Sequence, residues 1–178
     1  MNSPEFPVVA SRLCAACGMC CDGTMFQVVR MQPGDYPAEL TRLGMRIRRQ
    51  EDGFVMEQPC AGLCERRCTI YEARPARCRA FLCQQLRLVE GHVITEAEAQ
   101  ARIDLAGRLA AEVRALITQS GYREDGAPLQ EQYDRVTVVP VNAELEPEQV
   151  PVRQKLEATM RVLKTILRRD FLPPPGSH

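Results

Sequence analysis

Residues 13–23, "LCAACGMCCDG", place Cys14, Cys17, Cys20 and Cys21 within eight positions. Two residues between cysteines form a tight turn whose ends bring both sulfurs within about 2.3 Å of one metal ion. "CAACGMC" repeats that spacing, and Gly18 supplies the backbone freedom such a knuckle needs. Cys21 stands apart. Neighbouring side chains in extended or turn backbone point in opposite directions, so Cys21 is expected to serve a second site or to bridge two metals.

All nine cysteines fall between Cys14 and Cys83, and residues 84–178 contain none. The chain therefore has a thiol-dense half and a thiol-free half. The N-terminal "MNSPEFPVVASRL" carries neither a basic leader nor a long apolar stretch, and nowhere are there the roughly 18 uncharged apolar residues that span a bilayer. A cytoplasmic location is expected. In a reducing cytosol clustered thiols indicate metal or redox chemistry rather than disulfides. Lys plus Arg and Asp plus Glu balance at 23 each, so no global field draws the chain to nucleic acid or an anionic membrane. The expected partners are metal ions and another protein. With 178 residues and 45% apolar content the chain can bury a core.

Distant ligands come from "PCAGLCERRCTIYEARPARCRAFLC", residues 59–83. Cys60, Cys68, Cys78 and Cys83 raise the expected ligand set to eight, enough for two four-thiolate sites or one larger cluster. Three local cysteines joined by a remote fourth are similar to the bacterial ferredoxin run. The combination "CAACGMCCDG", "PCAGLCERRC" and "CTIYEARPARCRAF" resembles the YkgJ-type cysteine-cluster family, described as zinc- or iron-chelating proteins, over about residues 12–85. Related cysteine signatures occur in flagellin lysine methylases, but no binding loop for S-adenosylmethionine is identifiable and that activity is not carried over. Cys14, Cys17, Cys20 and Cys21 match the family's first cluster, and Cys60, Cys68, Cys78 and Cys83 the later ones. The resemblance implies metal binding. Cys64 departs from the pattern and is expected to be a buried bystander.

Charge provides a second argument. Four thiolates around Zn²⁺ or a [4Fe–4S]²⁺ core leave a net charge of about −2, so two sites concentrate about −4 and require nearby cations. Arg74 and Arg79, inside the family motif, are expected to donate to the thiolates from outside the ligand shell. Arg66, Arg67 and Arg77 are expected on a solvated face. A short helix beginning near Pro75 should end before Cys83, because Cys78 and Cys83 cannot share a helical face.

Along the rest of the chain, residues 24–31 read as a strand, and 32–44 as a turn feeding a short helix capped by Asp35 and stopped by Gly44. Hairpins are expected around Asp52 and Gly53 and around Glu90 and Gly91. From Thr95, with Glu98 completing a capping box, an amphipathic helix runs to Gly121. "YDRVTVVPV" reads as a strand. A last helix from about Pro151 presents Val152, Leu156, Leu163, Ile166 and Phe171 before "PPPGSH" ends it.

The expected class is α+β, a small cysteine-rich metal module of short hairpins packed against two longer C-terminal helices. Residues 1–11 are expected as a flexible N-terminus, 12–90 as the module, 91–172 as the helical and strand extension, and 173–178 as a disordered tail. Catalytic groups are sparse. His92 and His178 are the only imidazoles and are expected to face solvent, and Asp22 is expected as a turn carboxylate. No P-loop, G-x-S-x-G or G-x-G-x-x-G occurs. The functional expectation is a protein with one or two thiolate-ligated metal sites, a 4Fe-4S iron–sulfur cluster favoured, in a redox, sensing or enzyme-accessory role. The alternative is a zinc-binding structural or interaction module without catalysis, with soft-ion buffering a third possibility.

Overall fold

Phe6, Val9, Ala10 and Leu13 recur at helical spacing and form one face of α1 (Phe6–Cys17), with Leu13 1% exposed. In the computed structural model, which describes residues 6–123 and 126–174, this helix replaces the flexible lead-in expected over residues 6–11. Ordering each backbone residue costs about 1–2 kcal/mol and one buried side chain contributes about 1.5–3 kcal/mol, so it is the whole face of Phe6, Val9, Ala10 and Leu13 packed on the helical core that offsets the entropy of this helix. Residues 1–5 and 175–178, including His178, lie outside the described residues.

The cysteine half alternates short strands and short helices: β1 (Val28–Arg30), α2 (Pro37–Arg42), β2 (Ile47–Gln50), β3 (Gly53–Glu57), β4 (Leu63–Cys64), β5 (Arg67–Cys68), α3 (Ala76–Ala80) and α4 (Gln84–Glu90). Strand β3 lies between β1 and β2, antiparallel to both, with Val29 opposite Met56 and Gln50 opposite Gly53. The hairpin expected at Asp52 and Gly53 is present. The strand expected over 24–31 contracts to three residues, because residues 19–26 instead turn around the thiols. Gly44 (φ 85°) stops α2 as expected, but Tyr36 rather than Asp35 occupies its N-cap. Asp35 accepts from the N–H groups of Gln32 (2.7 Å) and Ala76 (2.8 Å), tying its loop to the start of α3.

The second half contains α5 (Glu96–Gln119), α6 (Leu129–Val138), α7 (Gln149–Ile166) and a π-turn (Leu167–Phe171). Thr95 and Glu98 form the expected capping box. Helices α5 and α7 are the most extensive helix pair, joining Ile103, Ala110 and Val113 to Leu156, Met160 and Leu163. The π-turn adds a residue to the last turn and carries Phe171 into the core at 1% exposure. The fold is α+β, with the sheet in the cysteine half and the longer helices C-terminal to it.

Two expectations of strand are overturned. Residues 84–90 are helical, not one arm of a hairpin, because Leu86 and Val89 turn onto the same core as α5; only the turn at Gly91 and His92 remains. Residues 129–138 are helical despite their Val and Thr content. Leu129 and Val136, seven positions apart, are both buried, and Glu131 pairs with Arg135 at 2.5 Å one turn on. Burial on a helical period here prevails over β-propensity. Among the described residues no helix is long and apolar enough to cross a membrane.

A second, smaller core of Leu40, Met45, Met56, Cys60 and Ile70 lies under the sheet. The cysteine loops occupy the seam between the two cores.

Candidate metal centre

Cys14 and Cys17 stand on the last turn of α1, so the first C-x-x-C is a helical pair rather than the turn expected from its spacing. Gly18 (φ 68°) ends the helix, its N–H donating to Cys14 O at 3.0 Å. The chain then reverses: the N–H groups of Cys21 and Asp22 both donate to Gly18 O, at 2.8 and 3.0 Å. Beyond this knuckle the Cys20 sulfur lies 3.9 Å from that of Met25, which packs on the helical core, while Cys21 packs on the core beneath the sheet.

The side chains beyond divide accordingly. Cys17 and Cys83 pack against the helical core, whereas Cys21, Cys60, Cys68 and Cys78 belong to the core beneath the sheet. The electrostatic couplings repeat this division. Burial pushes the Cys20 thiol well above its ordinary range, and Cys17, Cys83, Cys21 and Cys14, in that order, push it further. Burial raises Cys21 to about 12, with Cys60, Cys78 and Cys68 its three strongest thiol neighbours. Cys14 rises to about 11, through burial and then Cys83, and Cys17 to about 12, through burial and then Cys83 and Cys14. Cys78 rises to about 11, through burial and then Cys60 and Cys68. The couplings thus gather Cys14, Cys17, Cys20 and Cys83 on one side and Cys21, Cys60, Cys68 and Cys78 on the other, with Cys21 also coupled across to Cys20 and Cys14.

Backbone amides oppose these rises at specific sulfurs. Met19 N–H acts on Cys17, Gly62 and Leu63 on Cys60, and Leu86 and Gln85 on Cys83, which stands at the N-cap of α4. Such N–H groups stabilise thiolate more than thiol. Arg74 lowers both Cys14 and Cys78, one from each set, while its guanidinium lies 3.7 Å over the Tyr71 ring and its Nε donates to Tyr71 O. Arg79 is exposed, and its side chain makes no hydrogen bond or ion pair among the described residues.

Among the described residues no three Cys, His, Asp or Glu side chains are already gathered closely enough to hold an ion. Closing either set on a metal therefore requires the sulfurs to move closer together. The donor chemistry fits a thiolate-bound metal on two grounds: four sulfurs share each local environment, and amides and a guanidinium face them where negative charge would develop.

Several contributors escaped the sequence reading. Arg46 lowers the Cys60 thiol and donates to Pro59 O at 2.8 Å, though nothing in its neighbourhood of sequence announces it. Arg66, expected on a solvated face, donates to Ala16 O at 2.6 Å and braces the end of α1. It sits with Glu65 in the two-residue turn between β4 and β5, both at positive φ. Two methionine sulfurs lie 3.9 Å from thiols, Met25 from Cys20 and Met45 from Cys60. Cys64 is exposed on the β4–β5 hairpin, not buried as expected, because its partner across the strands is the surface residue Arg67. Asp22 is the expected turn carboxylate, accepting from Thr24 N–H at 2.8 Å, and it also pairs with Arg114 of α5 at 3.2 Å. His92 is exposed in its turn.

The CxxCxxCC family model, described as "Putative zinc- or iron-chelating domain", matches residues 13–101, half of the chain. No curated protein and no solved structure matches. The match begins one residue before the first thiol and contains every cysteine of both sets. The chain belongs to the CxxCxxCC family of zinc- or iron-chelating domains.

Proposed function

We propose that the chain holds two four-thiolate metal sites, one from Cys14, Cys17, Cys20 and Cys83 and the other from Cys21, Cys60, Cys68 and Cys78. The observation that supports this is that Cys20 neighbours Met25, Cys17 and Cys83, which pack on the helical core, whereas Cys21 neighbours Cys60, Cys68 and Cys78 beneath the sheet. The unit organised by metal is residues 12–90, with 91–172 packed upon it. Arg74, near a thiol of each set, and Arg46, near Cys60, offset the charge of about −2 that each loaded site carries.

The first set has three thiols at doubled two-residue spacing and a remote fourth, which supports iron–sulfur clusters and a redox, sensing or enzyme-accessory role for a protein partner. An iron–sulfur cluster supplies one-electron chemistry; the chain's part is to hold it, tune it through amide N–H groups and arginines, and exclude water on the core side. Four cysteines per set equally complete a closed tetrahedral zinc site, which contributes folding energy without catalysis.

Purification under oxygen-free conditions, followed by iron, sulfide and zinc analysis, tests both readings. Brown protein with iron and acid-labile sulfide supports clusters. Colourless protein with two zinc ions per chain refutes them in favour of the closed zinc sites, and fewer than two filled sites refutes the division into sets.

A further inference from the structure

A groove of about 440 Å³ runs between the cysteine knuckle and α5, within the roughly 300–1,000 Å³ range of small-molecule sites. Cys17, Arg66, Gly107, Arg108, Ala111 and Arg114 are among its lining residues. Two carboxylates reach it as well, and both are engaged: Asp22 by Arg114 and Thr24, Asp104 by Gln100. Arg66 spends one N–H on Ala16 O. Arg108 has no hydrogen-bond or ion-pair partner among the described residues. The Arg108 guanidinium and the remaining N–H groups of Arg66 therefore face the groove with no acceptor among the described residues.

Gly107 points the same way by independent means. It sits inside the 24-residue α5, where glycine is the least favourable residue after proline. Packing does not demand it, since a Cβ there would meet nothing within 4 Å. A bare backbone at this position keeps the groove wall open between the arginines and Cys17.

We propose that this groove binds a small organic anion, a carboxylate or a phosphate ester, whose charge is held by Arg66 and Arg108 beside the Cys17 side chain. Charge-assisted hydrogen bonds from planar guanidinium forks suit both oxyanions. The inference does not depend on which metal the thiols hold, since zinc and a [4Fe–4S]²⁺ core leave the same charge of about −2 at the Cys17 site; that charge opposes the anion, which is expected to bind more tightly where the site is empty.

The test is calorimetric titration of the full chain with citrate and with adenosine monophosphate, at constant ionic strength and with chloride as control. One of the two anions is expected to bind at one per chain. Arg108→Gln should weaken it roughly ten- to hundredfold, the worth of a charge-assisted hydrogen bond. Gly107→Leu removes no charge but fills the groove; it should abolish binding while metal content and melting temperature are not lowered. Preference for citrate assigns a carboxylate site, and preference for the nucleotide a phosphate site. The proposal is overturned if neither anion binds, or if binding survives Gly107→Leu. Metal analysis of the same samples keeps the outcomes separate, since a chain that holds no metal refutes the two sites and leaves the groove result standing.

Discussion

Filling the first thiol set should release four protons per metal ion. Burial, together with neighbouring thiols, raises Cys14 to about 11 and Cys17 to about 12 and places Cys20 well above the ordinary 9.0, and burial alone raises Cys83 above it. At neutral pH all four therefore carry protons in the metal-free chain, and all four must lose them to coordinate. Ionising a thiol of pKa about 12 at pH 7 costs about 7 kcal/mol, against about 3 kcal/mol at pKa 9, so the cation must offset a larger penalty than in an unfolded peptide. The apparent affinity should rise by about four orders of magnitude per pH unit between about pH 6 and 8, where none of the four has begun to titrate. Zinc titrations of reduced, metal-free protein in buffers of differing ionisation enthalpy count the protons directly, and chelator competition across pH gives the slope. Release of two or fewer protons per ion would show that the set is not four protonated thiols, and would refute the assignment.

The same shifts bear on the metal-free fold. A thiol whose folded pKa is raised contributes stability fully present below its unfolded pKa and lost as pH climbs through the folded value. Metal-free protein should therefore weaken from about pH 9 upward, Cys21 alone by at most ~4 kcal/mol as it ionises near 12, with denaturant melts as the measure. Cys83→Ala and Cys78→Ala should each empty one site and spare the other, while Cys64→Ala, on the surface, should leave metal content unchanged; loss of both sites from either ligand variant would favour a single cluster. Gly23→Ala should destabilise the protein by about 1–3 kcal/mol in thermal melts, because φ is +80° and the new Cβ would lie 3.0 Å from Pro128 Cα. Thr95→Ala, which removes the capping box of α5, should cost about 1 kcal/mol and leave metal content untouched.

Where a signal was local, it was readable from the chain. The capping box at Thr95 and Glu98, the stop at Gly44 and the hairpin at Asp52 and Gly53 rest on contacts among residues a few positions apart, and each formed. Segments whose conformation depends on a distant surface were misread. Residues 6–11 are helical because Leu13 and its neighbours find α5, and residues 129–138 because Leu129 and Val136 find the helical core. Arg46 reaches Pro59 and Gly126 from the residue just before β2, in a stretch with no cysteine in it, so no spacing could have announced its place beside Cys60.

The sequence by itself determined the donor chemistry: eight thiols at chelating spacings, the family they mark, and the parting of Cys20 from Cys21, since residue type and the geometry of a dipeptide suffice for these. Tertiary structure decided which thiols share a neighbourhood. Cys83 joins the first set because α4 packs on the helical core, and Cys60, Cys68 and Cys78 join Cys21 because the sheet has a core of its own. That allocation depends on which apolar faces bury one another across tens of residues, and the order of residues along the chain does not encode it in any short stretch.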